Sequence, residues 1–280
     1  MSRLVSLRKR LSEVRVEPAL LEHIRKHGLG NSRGEDIRHR RTLKVPEHDQ
    51  AAARERALGR LRPLFEARTE DELPAAAVAE LALAGRSNVG KSSLLNALAG
   101  KRSSTSNTTG LAKVKNLPGV TRSLNFYGSQ KLGARLVDMP GYGFAFAPDG
   151  SEGEWQQLMR DYVLQRGEAL RLLMCVDSRQ SLRQLDRDFL LMLDRESGLV
   201  PVHVVMTKCD LVTPRELAQR YTLMRESLGE LRIRQLRGVH MVSSRSMAGI
   251  AMLRKALAAD MPEGWLRKPG DAEDLGDADD

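Results

Sequence analysis

The sequence predicts a three-layer α/β fold, a mostly parallel sheet with helices on both faces. Three observations predict it. Short apolar runs of strand length, at residues 78–84, 135–138, 201–206 and 239–242, are interleaved with helical patterns. The first run leads into a glycine-bounded loop, residues 85–93, that opens a helix. The later runs end in polar turns, and open parallel sheets collect their functional groups at such strand ends.

Taken in chain order, residues 1–15 carry Arg3, Arg8, Lys9, Arg10 and Arg15 against the single acid Glu13, with Leu4, Leu7, Leu11 and Val14 at helical spacing. That pattern fits an organelle transit peptide, and equally an ordinary basic helix or tail. Residues 18–27 predict a short helix. Residues 28–48 are polar and basic, with Arg38, Arg40 and Arg41, and predict an extended arm. Residues 49–68 predict a second helix, with Leu58, Leu61, Leu64 and Phe65 on one stripe. Residues 78–84 predict a strand and 92–98 a helix; 135–138, 201–206 and 239–242 predict further strands, and 248–257 the closing helix. The expected division is a leader at 1–15, a basic extension at 16–73, the α/β domain at 74–264, and an acidic tail at 265–280. Residues 271–280 hold six acids in ten and predict disorder or a contact for a basic partner.

Gly85-Arg86-Ser87-Asn88-Val89-Gly90-Lys91-Ser92-Ser93 contains G-x-x-x-x-G-K-S. Placed between strand and helix, it turns backbone N–H groups and a helix N-terminus toward a polyphosphate. Gly85 and Gly90 permit angles and close approaches that a Cβ hinders. Lys91 reaches the β- and γ-phosphates on this reading, and the Ser92 hydroxyl ligates Mg²⁺. Residues 135–138 run into Asp138-Met-Pro-Gly141. Asp138 is positioned to hold Mg²⁺ through water, and the Gly141 N–H to meet a γ-phosphate. Leu117-Pro118-Gly119-Val120-Thr121 places a threonine where a mobile loop caps the same ion. Residues 201–206 end in Thr207-Lys208-Cys209-Asp210. A carboxylate there accepts from guanine N1–H and the exocyclic amine together, which adenine cannot supply, while the Lys208 stem lies along the base. Ser243 and Ser244 close the last strand, with backbone in reach of guanine O6.

The order of these motifs is that of a linear, translation-factor-type GTPase. The run 85–93, with P-G-x-T-R, D-M-P-G-Y-G and T-K-C-D, resembles the EngB (YihA/YsxC) family of ribosome-biogenesis GTPases across roughly residues 70–262. Leu124-Asn125-Phe126, Trp155, Val176-Asp177-Ser178-Arg179 and Leu185-Asp186 support the resemblance. It implies a P-loop GTPase domain of the TRAFAC type that binds GTP and GDP with Mg²⁺. It implies hydrolysis as a conformational switch, with Lys91, Thr121 and Gly141 at the reacting end. Tyr142 follows Asp-x-Pro-Gly where a glutamine would orient water, so slow intrinsic turnover is expected. Asn88 matches a loop position that helps hold K⁺ in related GTPases; the alternative is that it only braces the loop. The implied partners are the pre-ribosomal large subunit, its rRNA, and ribosomal or assembly proteins, met by a chain that is monomeric when free. With the basic leader, the favoured compartment is the mitochondrial matrix, with a plastid or a bacterial cytoplasm as alternatives. A scaffold for pre-ribosomal RNA with little hydrolysis is the competing role. The sequence departs from the family at residues 143–147, which are apolar where the family carries a lysine, and in its longer segment 101–116.

The 280-residue chain carries a formal net charge of +9. Residues 81–137 contain no acid but hold Arg86, Lys91, Lys101, Arg102, Lys113, Lys115, Arg122, Lys131 and Arg135, which predicts either a basic face for RNA phosphates or a solvated loop. Aromatic residues make up 4%, too few for an extended base-stacking platform. Cys175 and Cys209 fall in or beside predicted strands and form neither a disulfide framework nor a zinc spacing. His23, His27, His39 and His48 lack ligand-like pairing. No run of eighteen apolar residues predicts a membrane span.

Overall fold

A computed structural model of the chain describes residues 7–32, 41–42, 44–55, 58–59, 61–76, 78–100, 123–129, 132–141 and 152–265. A seven-stranded sheet organises them. Its strands are β3 (Arg62–Ala67), β4 (Ala79–Gly85), β5 (Leu124–Gly128), β6 (Ala134–Asp138), β7 (Leu170–Asp177), β8 (Val202–Thr207) and β9 (Leu236–Met241), in the spatial order β3-β5-β6-β4-β7-β8-β9. β6, β4, β7, β8 and β9 are mutually parallel, β3 shares their direction, and β5 alone runs the opposite way, antiparallel to both β3 and β6. The expected three-layer α/β architecture is present.

Alternation along β4 shows how the layers form. Leu81 and Leu83 enter one core with α4 (Lys91–Leu98) and α8 (Ile250–Asp260). Ala82 and Ala84 enter the other, with α5 (Glu152–Arg166), α6 (Gln184–Glu196) and α7 (Pro214–Leu231). Successive strand residues point to opposite faces, so a buried central strand is apolar on both.

The N-terminal extension is built into this core. α1 (Leu7–Glu13) and α2 (Pro18–Lys26) pack on α7, and Ile24 and Leu29 are fully buried among the α7-side residues. A two-stranded ribbon, β1 (Asn31–Ser32) with β2 (Arg41–Thr42), follows in part of the region expected to be an extended arm. α3 (Glu47–Glu55) comes next and is tied back to α2 by a 2.7 Å contact between His27 Nδ1 and Asp49 Oδ2.

The helix expected over 49–68 is corrected. α3 ends at Glu55, and residues 62–67 are edge strand β3, antiparallel to β5 with a register shift between Pro63 and Phe65. Pro63 cannot serve a helix interior but is tolerated at a bulged edge. The stripe divides accordingly: Leu58 and Leu61 are buried, Leu64 is 44% exposed, and Phe65 stacks on Phe126 at 4.5 Å. Long-range pairing with β5 prevails over local helical spacing.

Candidate functional site

The site is built where β4, β6, β7 and β8 end. β4 stops at Gly85, and α4 begins at Lys91 after a left-handed Gly90. Asn88, at φ 61°, sits in the left-handed region that asparagine tolerates. Lys91 is buried and donates to the carbonyls of Gly85 at 3.0 Å and Arg86 at 3.2 Å. Burial lowers the pKa of its ammonium, against the pull of Asp138. Arg86 reaches sideways, and its Nη1 donates to Gln180 Oε1 at 2.8 Å.

β6 delivers Asp138 to the start of α4, where Ser92 Oγ donates to Asp138 Oδ2 at 2.8 Å. Burial pushes the Asp138 carboxyl up, opposed by Lys91 and the Ser92 hydrogen bond. Its other oxygen, Oδ1, is buried without a hydrogen-bond partner among the described residues. The Ser92 hydroxyl and the Asp138 carboxylate, with its orphaned Oδ1, form a hard-oxygen set of the kind that suits Mg²⁺ alongside phosphate and water. The residues present therefore fit that ion. Gly141 closes against the loop: a Cβ there would come within 2.7 Å of Ser87 N and Oγ, so only glycine allows this approach.

β8 ends in Thr207, and its hydroxyl donates to the Val89 carbonyl at 2.5 Å. Lys208 follows with φ 55°, and its Nζ donates to the Asn88 carbonyl and lies 3.2 Å from Asp177 Oδ2. A 3-10 turn, Cys209–Leu211, presents Asp210, whose Oδ1 accepts from Ser243 Oγ at 2.7 Å. Each carboxylate oxygen retains acceptor capacity after that bond, so Asp210 can take two parallel N–H donors from a base edge.

The structure thus brings Gly85, Arg86, Ser87, Asn88, Val89, Gly90, Lys91, Ser92, Ser93, Asp138, Gly141, Thr207, Lys208, Asp210, Ser243 and Ser244 to the strand-end region. Pro118, Gly119, Val120, Thr121 and Tyr142 lie outside the described residues, as do Lys101, Arg102, Lys113, Lys115, Arg122, Lys131, Arg38 and Arg40. Arg135 leaves the expected basic face. Its Nη1 lies 3.3 Å from Glu80 Oε1, with the guanidinium over the Phe65 ring.

One group was given no role from sequence. Asp177 ends β7 and accepts from Arg179 through backbone N at 3.0 Å, Nε at 2.9 Å and Nη2 at 2.7 Å. Burial pushes the Asp177 carboxyl up, but the Arg179 hydrogen bonds and the Lys208 charge outweigh it and hold it below the ordinary range. Ser178 Oγ donates to the Lys208 carbonyl at 3.1 Å. The signal was available: residues 177–179 follow a parallel strand at the same edge as Thr207–Asp210. Cys175 and Cys209 are free and buried, and burial raises Cys175 to about 12.

A parallel α/β sheet with a phosphate loop, a D-x-P-G turn and a T-K-x-D turn at one edge defines a P-loop GTPase, an enzyme that hydrolyses GTP. A family model described as "50S ribosome-binding GTPase" matches residues 80–208. Three bacterial relatives are each described as "Probable GTP-binding protein EngB". The one from Rhodopseudomonas palustris (strain BisA53) is 38% identical over 67% of this chain and 82% of its own length. That from Bradyrhizobium diazoefficiens is 40% identical over 66% and 81%, and that from Nitrobacter hamburgensis 39% over 67% and 82%. The chain belongs to the EngB family of GTP-binding proteins. Among solved structures, a bacterial selenocysteine-specific elongation factor, EF-Sec, aligns at 18% identity and a TM-score of 0.46, covering 65% of this chain and 28% of its own.

Proposed function

We propose that this chain is a GTP-driven switch in assembly of the large ribosomal subunit. The observation that carries the reading is the site at the sheet edge, Lys91, Ser92 and Asp138 on one side and Lys208 and Asp210 on the other, within an EngB-family chain matched by a 50S ribosome-binding GTPase model. Asp210 reads guanine, with Lys208 along the base and Ser243 and Ser244 near O6. Residues 85–93 cradle the phosphates. Ser92 and Asp138 would hold Mg²⁺, and Thr121 and the Gly141 N–H would engage only with the γ-phosphate present. Turnover is slow without a partner, because Tyr142 cannot orient water through an amide. Asn88 would help hold K⁺ beside the phosphates, and the ion would supply part of the missing charge.

The basic segments carry contact with rRNA: Lys101, Arg102, Lys113 and Lys115 beside Thr121, and Arg38, Arg40 and Arg41 in the arm. The former follow nucleotide state and the latter hold in both states. Such contacts release counterions, so affinity falls with salt at a log–log slope of about −0.7 per phosphate on single strands.

Two compartments suit this work. The bacterial sources of the matched relatives support a bacterial cytoplasm. The basic leader at residues 1–15 supports the mitochondrial matrix. Among the described residues no helix is long and apolar enough to cross a membrane.

The test is co-sedimentation of the full chain with pre-ribosomal large particles, loaded with GDP or a non-hydrolysable GTP analogue, beside GTPase assays with and without particles. The switch reading expects tighter binding with the analogue and particle-stimulated turnover. State-independent binding without stimulation would instead favour a structural scaffold.

A further inference from the structure

The guanine-side turn is held from beneath by the N-terminal extension. Asn31 is 2% exposed and spans the turn. Its backbone N–H donates to the Val212 carbonyl and its side-chain Nδ2 to the Asp210 carbonyl, both at 2.9 Å. Asn31 Oδ1 is buried with no hydrogen-bond partner among the described residues, so a desolvation cost is accepted to bring that amide here. The approach demands the residue before it. Gly30 has φ +99°, and a Cβ on it would sit 3.1 Å from Pro214 N and 3.2 Å from Val212 O. Leu29, fully buried, and its N–H to the Ile24 carbonyl fix the strand to the end of α2.

Apart from the Val212 and Asp210 carbonyls, the following groups of the turn are satisfied from within the α/β domain. Cys209 N donates to the Val242 carbonyl at 3.1 Å, Ser178 Oγ to the Lys208 carbonyl, and Ser243 Oγ to the Asp210 side chain. Among the described residues, the donor to the Asp210 carbonyl is Asn31 Nδ2. Removing that donor leaves a buried acceptor unpaired at the residue whose carboxylate faces the base. The peptide then gains by rotating toward water, and that rotation swings the carboxylate with it.

We infer that Asn31 is a positioning residue for guanine recognition, and that the N-terminal extension completes the base site from behind Asp210. The inference rests on the reading of Asp210 as the guanine acceptor. Coupling of this kind is reciprocal: an extension that sharpens guanine binding is itself held more firmly when the base is bound.

The experiment uses the full chain and compares GDP with inosine diphosphate, which lacks the exocyclic amine and so reports the aim of the carboxylate. Asn31→Ala is expected to weaken GDP about tenfold, the effect of one lost hydrogen bond with its acceptor left buried, and to narrow the GDP-to-IDP ratio. Asn31→Ser, a milder change, is the fallback if alanine does not fold and should move the ratio the same way. Asp49→Ala breaks the α2–α3 contact without touching the turn and should leave the ratio unchanged. Hydrogen exchange at residues 29–31 should slow on GDP binding. A ratio unchanged in both Asn31 variants, or a uniform loss across both nucleotides, overturns the inference. Asp210→Asn, run alongside, separates the two failures. If it alters the ratio and the Asn31 variants do not, only the positioning role falls. If it too leaves the ratio unchanged, the guanine assignment falls and the inference falls with it.

Discussion

The Thr207 hydroxyl and the Val89 carbonyl meet at 2.5 Å, fastening the turn that ends β8 directly to the loop that follows β4. A second carbonyl, that of Val176, lies 3.2 Å from the same hydroxyl. Lys208 repeats the fastening one residue on, through the Asn88 carbonyl. The turn after β8 and the loop after β4 are therefore one bonded unit, and on the proposed reading a nucleotide lying across it would meet a preset spacing.

Thr207→Val keeps the shape of a 2% exposed side chain and deletes the donor. It leaves the Val89 carbonyl unpaired, at a cost of about 1–3 kcal/mol. Urea unfolding should show that loss. Calorimetry should show GDP and GTP weakened alike, because the spacing serves both. A loss confined to stability would separate the fastening from binding.

Asp210→Asn replaces an acceptor-only carboxylate with an amide that also donates. GTP affinity should fall, and xanthosine triphosphate, whose C2 carbonyl accepts, should gain. Ser243 Oγ can still donate to the amide oxygen at this position, so the turn should persist. Titration calorimetry with both nucleotides checks the exchange, and unchanged GTP binding would remove Asp210 from base recognition.

Much of this was legible in the sequence because it is local. A glycine-bounded loop between a strand run and a helix run, and acids at strand ends, are patterns a few residues long. What was not legible is long-range. β3 carries helical spacing and becomes a strand only because β5 is there to pair with it. Asn31 lies 179 residues from Asp210, and nothing near either announces the contact. The acid-free stretch 81–137 suggested a free basic face, yet Arg135 meets Glu80, one residue before that stretch begins.

The His203–His240 pair should make stability depend on pH. His203 Nδ1 lies 3.0 Å from His240 Nε2, and His203 Nε2 lies 3.1 Å from Asp260 Oδ2. The network is satisfied when His203 gives its Nε2–H to Asp260 and takes the Nε2–H of His240, with both rings neutral. Burial, then His203, pushes His240 down to about 4; burial also lowers His203, against the pull of Asp260 and with the push of Arg237 and Arg171. An unfolded histidine titrates near ~6.5. Below that value the unfolded chain binds more protons than the folded one. The contribution is therefore complete above ~6.5 and lost as pH falls toward the folded value. Urea midpoints should drop between about pH 7 and 5, and His240→Phe should flatten that slope. Identical slopes in both proteins would clear the pair of any role.

Glu80 offers the contrasting case, a charged cluster that serves the fold and not the nucleotide. It is fully buried near the start of β4, about 16 Å of strand away from Gly85. Its carboxylate accepts from Tyr162 Oη at 2.8 Å and Arg166 Nε at 3.0 Å. Arg166 is only 2% exposed in its side chain, and its Nη2 also donates to the Pro74 carbonyl at 2.6 Å. Glu80→Ala would strand that guanidinium in the interior, and breaking such a pair costs about 3–5 kcal/mol. Replacing both partners, Glu80→Met with Arg166→Met, removes the two buried charges together and should recover part of the loss, with the Tyr162 hydroxyl and Arg135 still deprived of their acceptor. Chemical denaturation of the single and double variants measures this directly. GDP affinity of the folded fraction should stay at the wild-type value throughout, because none of the groups at the strand ends touches Glu80. A single variant as stable as the wild type would mean that water reaches Arg166 despite its burial.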